Sequence, residues 1–254
     1  VSAMRNYLAA ECYKVFRRKY FYFALAGALI LEGVLLWGCW LTSSWGNEGM
    51  SFYSASTLVA VMLSIGVYAT VITSDMVFSE QYKQNTLKNE VSYGMPRVRI
   101  YLGKLAVATL VSILAAVVMV VLYVASCWVL LPHGDTDAAA LALIGYSLLG
   151  AFPLWLAAQG ITMACYFLVR NTTLAAFVSV GLLGAVPVIF QALGLLFHPV
   201  FERVRQLMPT VMLEKLPNTA FQMNYVGLCW LVGVGLLVLS VVVGLAAFQK
   251  KEIR

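Results

Sequence analysis

The stretch from Phe78 to Lys104, FSEQYKQNTLKNEVSYGMPRVRIYLGK, separates two apolar runs, Ser56–Phe78 and Leu105–Leu131, each long enough to cross a membrane. It holds Glu80, Lys83, Lys88, Glu90, Arg97, Arg99 and Lys104 in a chain whose charged fraction is only 11%. Phe78 and Tyr82 pair at i, i+4, as do Leu87 and Val91, but the two pairs are out of phase. Asn85 and Thr86 between them are residue types that cap helix starts. The spacing predicts a helix end, a break and a short second helix that stops at Gly94, with Pro96 opening the next helix. A charged, punctuated segment between two hydrophobic helices must lie in water, and a short helix running along that face has the form of a docking element.

Working outward, 62% of the 254 residues are hydrophobic types and the mean hydropathy is +0.87. Soluble domains average about 45–50% apolar and about 25% charged residues, so the fold class expected is an all-α integral membrane protein. No stretch outside the apolar runs is long enough to bury a core of its own, which makes residues 1–254 a single membrane domain. Six transmembrane helices are expected, at Tyr20–Thr42, Ser56–Phe78, Leu105–Leu131, Ala138–Val169, Leu174–Phe197 and Asn224–Phe248. The fourth run is too long for one straight span, so Pro153, with Gly145, Gly150 and Gly160 nearby, is expected to kink or interrupt it.

Cytoplasmic flanks hold an excess of Lys and Arg. With the N-terminus inside, fourteen of the seventeen basic residues fall on that side, and only Arg203, Arg205 and Lys215 fall outside, where Glu202 and Glu214 offset them. Both termini are therefore expected in the cytoplasm, and the net charge of +6 reflects orientation rather than nucleic-acid binding. Trp40, Trp45, Trp128 and Trp230 near the outer helix ends, with Tyr20, Tyr22, Tyr82, Tyr93 and Tyr101 at the inner ones, fit interfacial aromatic belts. The first run is full length and lacks a small-residue cleavage motif, so no cleavable leader is expected.

Residues 1–19 place Met4, Tyr7, Leu8, Cys12, Val15 and Phe16 on one face at helical spacing, with Arg5, Lys14, Arg17 and Arg18 elsewhere. This predicts an amphipathic helix on the inner leaflet, its basic side toward lipid headgroups, rather than a simple extension of the first span. The outer segment 198–224, divided by Pro199, Pro209 and Pro217 but still apolar in places, is expected to form short helices over the outer mouth. Five cysteines are scattered singly, and packing is their default role, although Cys39, Cys127 and Cys229 all lie toward the outer side, where a disulfide is conceivable.

The chain has no phosphate-binding G-x-x-x-x-G-K-[ST] loop, no metal-ligand spacing around His133 or His198, and no nucleophile elbow, so no catalytic residue is assigned and no metal is expected. Glu32 lies midway along the first span, where an ionised side chain costs at least ~2.5 kcal/mol. It either lines a polar pathway or is protonated or hydrogen-bonded at a helix interface. Asp75, near the inner end of the second span, either pairs with Lys83 or meets water. Gln159 and Gln191 are further pathway candidates, with interhelical hydrogen bonding the competing explanation.

Taken together, these parts resemble the ABC-2 type permease family. The motif that carries the resemblance is Glu80, then Thr86-Leu87, then Arg97 and a closing Gly103-Lys104, with Asn85 where the family commonly has Gly. The N-terminal AECYKVFRRK, containing Glu11, Lys14 and Arg17, and LVRNTTLAAF between spans four and five are similar to family patterns as well. The resemblance implies the membrane half of an ATP-driven exporter in the bacterial cytoplasmic membrane, binding no cofactor itself, with ATP and Mg on a separate ATPase subunit. It implies a second permease copy or a paralogue as a further partner. Region 79–96 would supply the coupling helix, from Ser79 to Val91, through Glu80, Tyr82, Lys83, Thr86, Leu87, Lys88 and Glu90, and the N-terminal helix would support it. The short chain looks most like the branch serving peptide-antibiotic immunity or drug efflux. Two other classes stay open on the sequence alone: an ion-coupled secondary transporter using Glu32 and Asp75, and a non-transporting immunity or scaffold protein.

Overall fold

The computed structural model describes residues 2–46, 50–78, 86–219 and 221–250. Its helices are α1 (Ser2–Phe16), α2 (Lys19–Ser44), α3 (Phe52–Phe78), α4 (Thr86–Ser92), α5 (Arg97–Leu130), α6 (Asp137–Leu168), α7 (Thr172–Val180), α8 (Val186–Leu196), α9 (Pro199–Arg205), α10 (Pro209–Lys215) and α11 (Met223–Lys250). A π-helical turn, Gly181–Ala185, joins α7 to α8, and a 3₁₀ turn, Leu216–Thr219, follows α10. Six segments are long and apolar enough to cross a membrane: α2, α3, α5, α6, α7 through α8, and α11. No strand occurs among the described residues.

The long central helix is α6, packed against α11 on one side and α3 on the other. In the most apolar window of α3 and of α6, 44% of the residues are buried, against 6% in α2, which displays Ile30, Leu31, Val34 and Trp37 outward. Such a surface is stable only against lipid or another protein. A polar knot ties the inner helices together: Gln159 Nε2 on α6 donates to Ser74 Oγ (2.7 Å), while Thr73 and Ser112 donate to Gln159 Oε1 (3.0 and 2.8 Å) and Ser74 meets Thr162 (3.0 Å).

Of the kink or interruption expected at Pro153 in the fourth span, the interruption does not occur, because α6 runs unbroken through that residue. Proline has no N–H for the carbonyl four residues back. Here that carbonyl, Leu149, accepts from the Trp230 indole of α11 at 3.2 Å. The break falls in the fifth span instead, at the π-helical turn just before Pro187. Its deprived carbonyl, Leu183, accepts from Thr210 Oγ1 of α10 at 3.1 Å. The same accounting, in which a neighbouring side chain replaces a missing backbone donor, serves both prolines.

The segment 198–224 is more deeply set than a cap over a mouth. Pro209, Thr210, Val211, Met212 and Leu213 of α10 are all buried, packed on α3, α6 and the π-helical turn. At the other end of the bundle, which carries most of the basic residues, Phe78, Tyr101, Tyr166, Phe167 and Phe248 stack in one aromatic cluster. Two arginines close helix ends there. Arg18 donates to the Met76 carbonyl of α3 (2.8 Å), and Arg97 donates to the Phe248 and Gln249 carbonyls in the last turn of α11. Cations at C-terminal carbonyls satisfy orphan acceptors and the helix dipole together. At its N-terminal end α5 extends about two turns beyond the apolar run, because Ile100 and Tyr101 are fully buried and carry the helix back to Pro96.

Replacing Thr210 with Val removes the donor to Leu183 and leaves a carbonyl unpaired in an apolar setting, a loss of about 1–3 kcal/mol. The thermal midpoint of the detergent-solubilised protein is expected to fall in Thr210→Val and to hold in Thr210→Ser. Equal midpoints for the two variants would refute the donor role.

Candidate functional site

On α1, Tyr7, Glu11 and Val15 recur every fourth residue and form the buried stripe of the helix. The chain turns at Arg18, whose backbone is extended, so α1 is a separate helix laid across the ends of α5, α3 and α2. In the middle of the buried stripe sits a carboxylate, 1% exposed. Its partner is Lys104, on the second turn of α5, 0% exposed. Lys104 Nζ lies 3.0 Å from Glu11 Oε2, and Lys14 donates to Glu11 Oε1.

A third element enters through Glu90 of α4. Glu90 Oε1 lies 3.5 Å from Lys104 Nζ and 3.6 Å from Lys14 Nζ, while its Oε2 accepts from the Tyr7 hydroxyl at 3.2 Å. Two carboxylates and two ammonium groups thus form a neutral quartet. Residue 103 has to be glycine for the quartet to close, since a Cβ there would fall onto the Tyr7 ring. Lys104 Nζ also lies 5.9 Å from the Phe78 ring centre and 6.0 Å from that of Tyr7, which covers the cation with aromatic faces.

Electrostatics follow from the geometry. Burial acts to raise the Glu11 pKa, but the Lys104 charge, with the hydrogen bonds and charge of Lys14, outweighs it and holds the carboxyl below its ordinary value. Burial, followed by the charges of Glu11 and Glu90, pushes the Tyr7 phenol upward, so it stays protonated and donates. Both carboxylates are committed to ammonium groups, an arrangement suited to holding three helices in register rather than to exchanging protons.

The short helix α4 is built to be gripped on one face. Leu87 is 4% exposed and packs into the core, and Glu90 joins the quartet. Gly94 ends the helix at φ +82°, with the Met95 N–H on the Glu90 carbonyl (3.2 Å) and the Gly94 N–H on the Val91 carbonyl (3.0 Å). The opposite face shows Lys88, Asn89 and Ser92, and Tyr93 beyond them is 89% exposed. Beside it lies a cleft of about 480 Å³ lined by Lys14, Asn89, Tyr93, Met95 and Arg99.

Of the residues assigned from the sequence, Glu11, Lys14 and Glu90 thus meet at one place, with Leu87 buried beneath the same face of α4 and Lys88 exposed on the opposite one. Glu80, Tyr82 and Lys83 lie outside the described residues, as does the side chain of Thr86, the first residue of α4. Arg5 is exposed, Arg17 bonds the Tyr13 hydroxyl (3.0 Å), and Arg18 caps α3. The pathway candidates are dispersed. Glu32 is half-buried on α2, sharing a helix face with Phe21 and Cys39, and makes no hydrogen bond or ion pair among the described residues. Gln159 is 1% exposed, its amide held in the polar knot, and Gln191 is exposed on α8. All five cysteines are free thiols. Sequence reasoning did not assign Tyr7 or Lys104 to a site. The signal was present: Lys104 is the one charged residue between Arg99 and the outer end of α5, and a lone lysine in an apolar run demands a carboxylate.

Breaking a buried pair costs about 3–5 kcal/mol, whereas removing both charges is close to neutral. Glu11→Gln and Lys104→Met should each lower the thermal midpoint sharply, and the double variant should recover most of the loss; additive losses would exclude the pairing. A carboxyl held below its ordinary 4.5 in the folded chain binds a proton less readily folded than unfolded. Its stabilising contribution is complete above that pH and is lost as pH falls through the lowered value. Wild-type midpoints should therefore decline on acidification below about pH 4.5, with a flatter profile in Glu11→Gln across the same window.

No curated protein matches the chain. A family model described as "ABC-2 family transporter protein" matches residues 7–183, from Tyr7, the phenol beside the quartet, into the π-helical turn of the fifth span. With well over half of its length so matched, and six membrane-length helices, the chain belongs to the ABC-2 transporter family and is a multi-pass membrane protein of the permease kind.

Proposed function

We propose that this chain is the transmembrane permease subunit of an ATP-binding cassette exporter of the bacterial cytoplasmic membrane, coupled through α4 to an ATPase on a separate chain. The observation that supports this most is the seating of α4. One face is fixed to α1 and to the membrane helix α5 by buried charges, and the other presents Lys88, Asn89, Ser92 and Tyr93 outward. A helix held that way passes a displacement on its outer face directly into the foot of a transmembrane span. ATP and Mg belong to the partner, where closure of two nucleotide-bound subunits would move both docked helices and shift the permeases between accessibility states. The poorly enclosed α2 supports a dimer, with a second copy or a paralogue covering part of it. Glu32, half-buried on α2 with no hydrogen bond or ion pair among the described residues, and the exposed Gln191 are the groups offered to the pathway. A peptide antibiotic, drug or lipid-like amphiphile is the substrate class that suits a small permease with such an apolar surface.

Lys88→Glu and Tyr93→Ala alter only exposed groups. Each is expected to lower co-purification of the partner ATPase subunit, and its substrate-stimulated hydrolysis, by about tenfold, the effect of a small interface anchor, with membrane insertion unchanged. Undiminished assembly in both variants would remove α4 as the docking element. Transport that persists without ATP and collapses with the proton gradient would replace the exporter reading by ion-coupled transport through Glu32.

A further inference from the structure

The quartet is unevenly bonded. Glu11 is fixed at both oxygens, with Lys104 on one and Lys14 on the other. Glu90 is not. Its Oε1 is buried yet accepts no hydrogen bond among the described residues, and both ammonium groups stand off at 3.5 and 3.6 Å, inside ion-pair range but beyond a directed bond. Among the described residues, the one hydrogen bond to the Glu90 side chain comes from the Tyr7 phenol, on the other oxygen. The α1–α5 half of the quartet is therefore a rigid joint, whereas α4 is held against it by undirected Coulomb attraction and one phenol.

We propose that Glu90 is a positioning residue, a releasable latch that holds α4 against α1 and α5 through its charge and sets how far α4 moves relative to Lys104. Undirected attraction varies smoothly with distance, so α4 can slide by a fraction of an ångström without breaking a bond, while Glu11 keeps Lys104 compensated throughout. The backbone agrees with this division. The Glu90 carbonyl closes the helix end by accepting from Met95, so the side chain leaves α4 at its last turn, beside Gly94 at φ +82°, where the chain pivots into α5. Leu87, one turn earlier, is the apolar contact about which that end would move. This deepens the coupling reading and rests on it for its consequence, but its physical content belongs to the permease alone.

Glu90→Gln keeps the shape and the acceptor for Tyr7 and removes only the charge. Hydrogen–deuterium exchange of the purified permease in lipid nanodiscs is expected to speed up about tenfold across Thr86–Ser92, with peptides from α1 and α5 unchanged. Unchanged exchange in α4 would overturn the latch, because packing of Leu87 would then suffice. Equal acceleration in α1 and α5 would also overturn it, because Glu90 would be a structural member of the whole quartet. In the complex with its ATPase, Glu90→Gln is expected to keep hydrolysing ATP while moving less substrate per ATP; a proportional loss of both would refute the positioning role. Failure of the wild-type permease to bind an ATPase would defeat the coupling reading and leave the exchange result standing.

Discussion

A lysine with no exposed surface keeps its charge only if the surroundings replace what water supplied, and Lys104 sets that requirement for the whole basic end of the molecule. A carboxylate on its own helix could not meet it, because α5 contains no Asp or Glu. The counter-charge comes from α1, through Glu11, which forces the N-terminal helix to lie across the foot of α5. One carboxylate would leave Lys14 beside it in excess, and Glu90 completes the neutral set, which fixes α4 as well. Three segments far apart in sequence thus converge because one cation cannot be left unpaired. Apolar side chains would hold these helices with less desolvation, but they would not fix their register.

The same accounting, applied to backbone groups, decides where the spans can bend. In hydrocarbon every carbonyl that loses its helical donor needs another one. Trp230 supplies it to Leu149 where α6 continues through Pro153, whereas Thr210 supplies it to Leu183 at a turn that is already π-helical. The difference lies in the donors' own attachments. Trp230 stands on α11, the helix most closely packed on α6, so the site is rigid. Thr210 stands on the short α10, and through it the outer end of the fifth span is tied to the segment buried between α3 and α6.

Much of the fold could be read from the residues. Six apolar runs became six spans, and the stop at Gly94 followed from glycine's access to positive φ. The site was legible in part: Glu11, Lys14, Leu87 and Glu90 were recognisable as polar or punctuating residues of two segments, but nothing local shows that these segments meet. That fact is carried by Lys104 and by Gly103, whose missing side chain makes room for Tyr7; the pair stands out as a motif and Lys104 as a lone charge, but neither says which segment supplies the partner. The interruption of the fifth span rather than the fourth was equally hidden, because it depends on which prolines find a donor on another helix.

These constraints divide the molecule by how its parts are held. The core of α3, α6 and α11 is joined by close packing, by the polar knot around Gln159 and by the aromatic cluster at its basic end, all short-range contacts that break rather than stretch. At the edges stand α2, which encloses little of itself, and α4, which is held by the buried Leu87 and by the Glu90 charge. Motion imposed at the basic end would therefore travel through α4 into α5 by way of Lys104, while the core moves as one body. Under the coupling proposed above, the direction in which that motion passes would be set by the contrast between directed bonds at Glu11 and undirected attraction at Glu90, two carboxylates that share a single lysine.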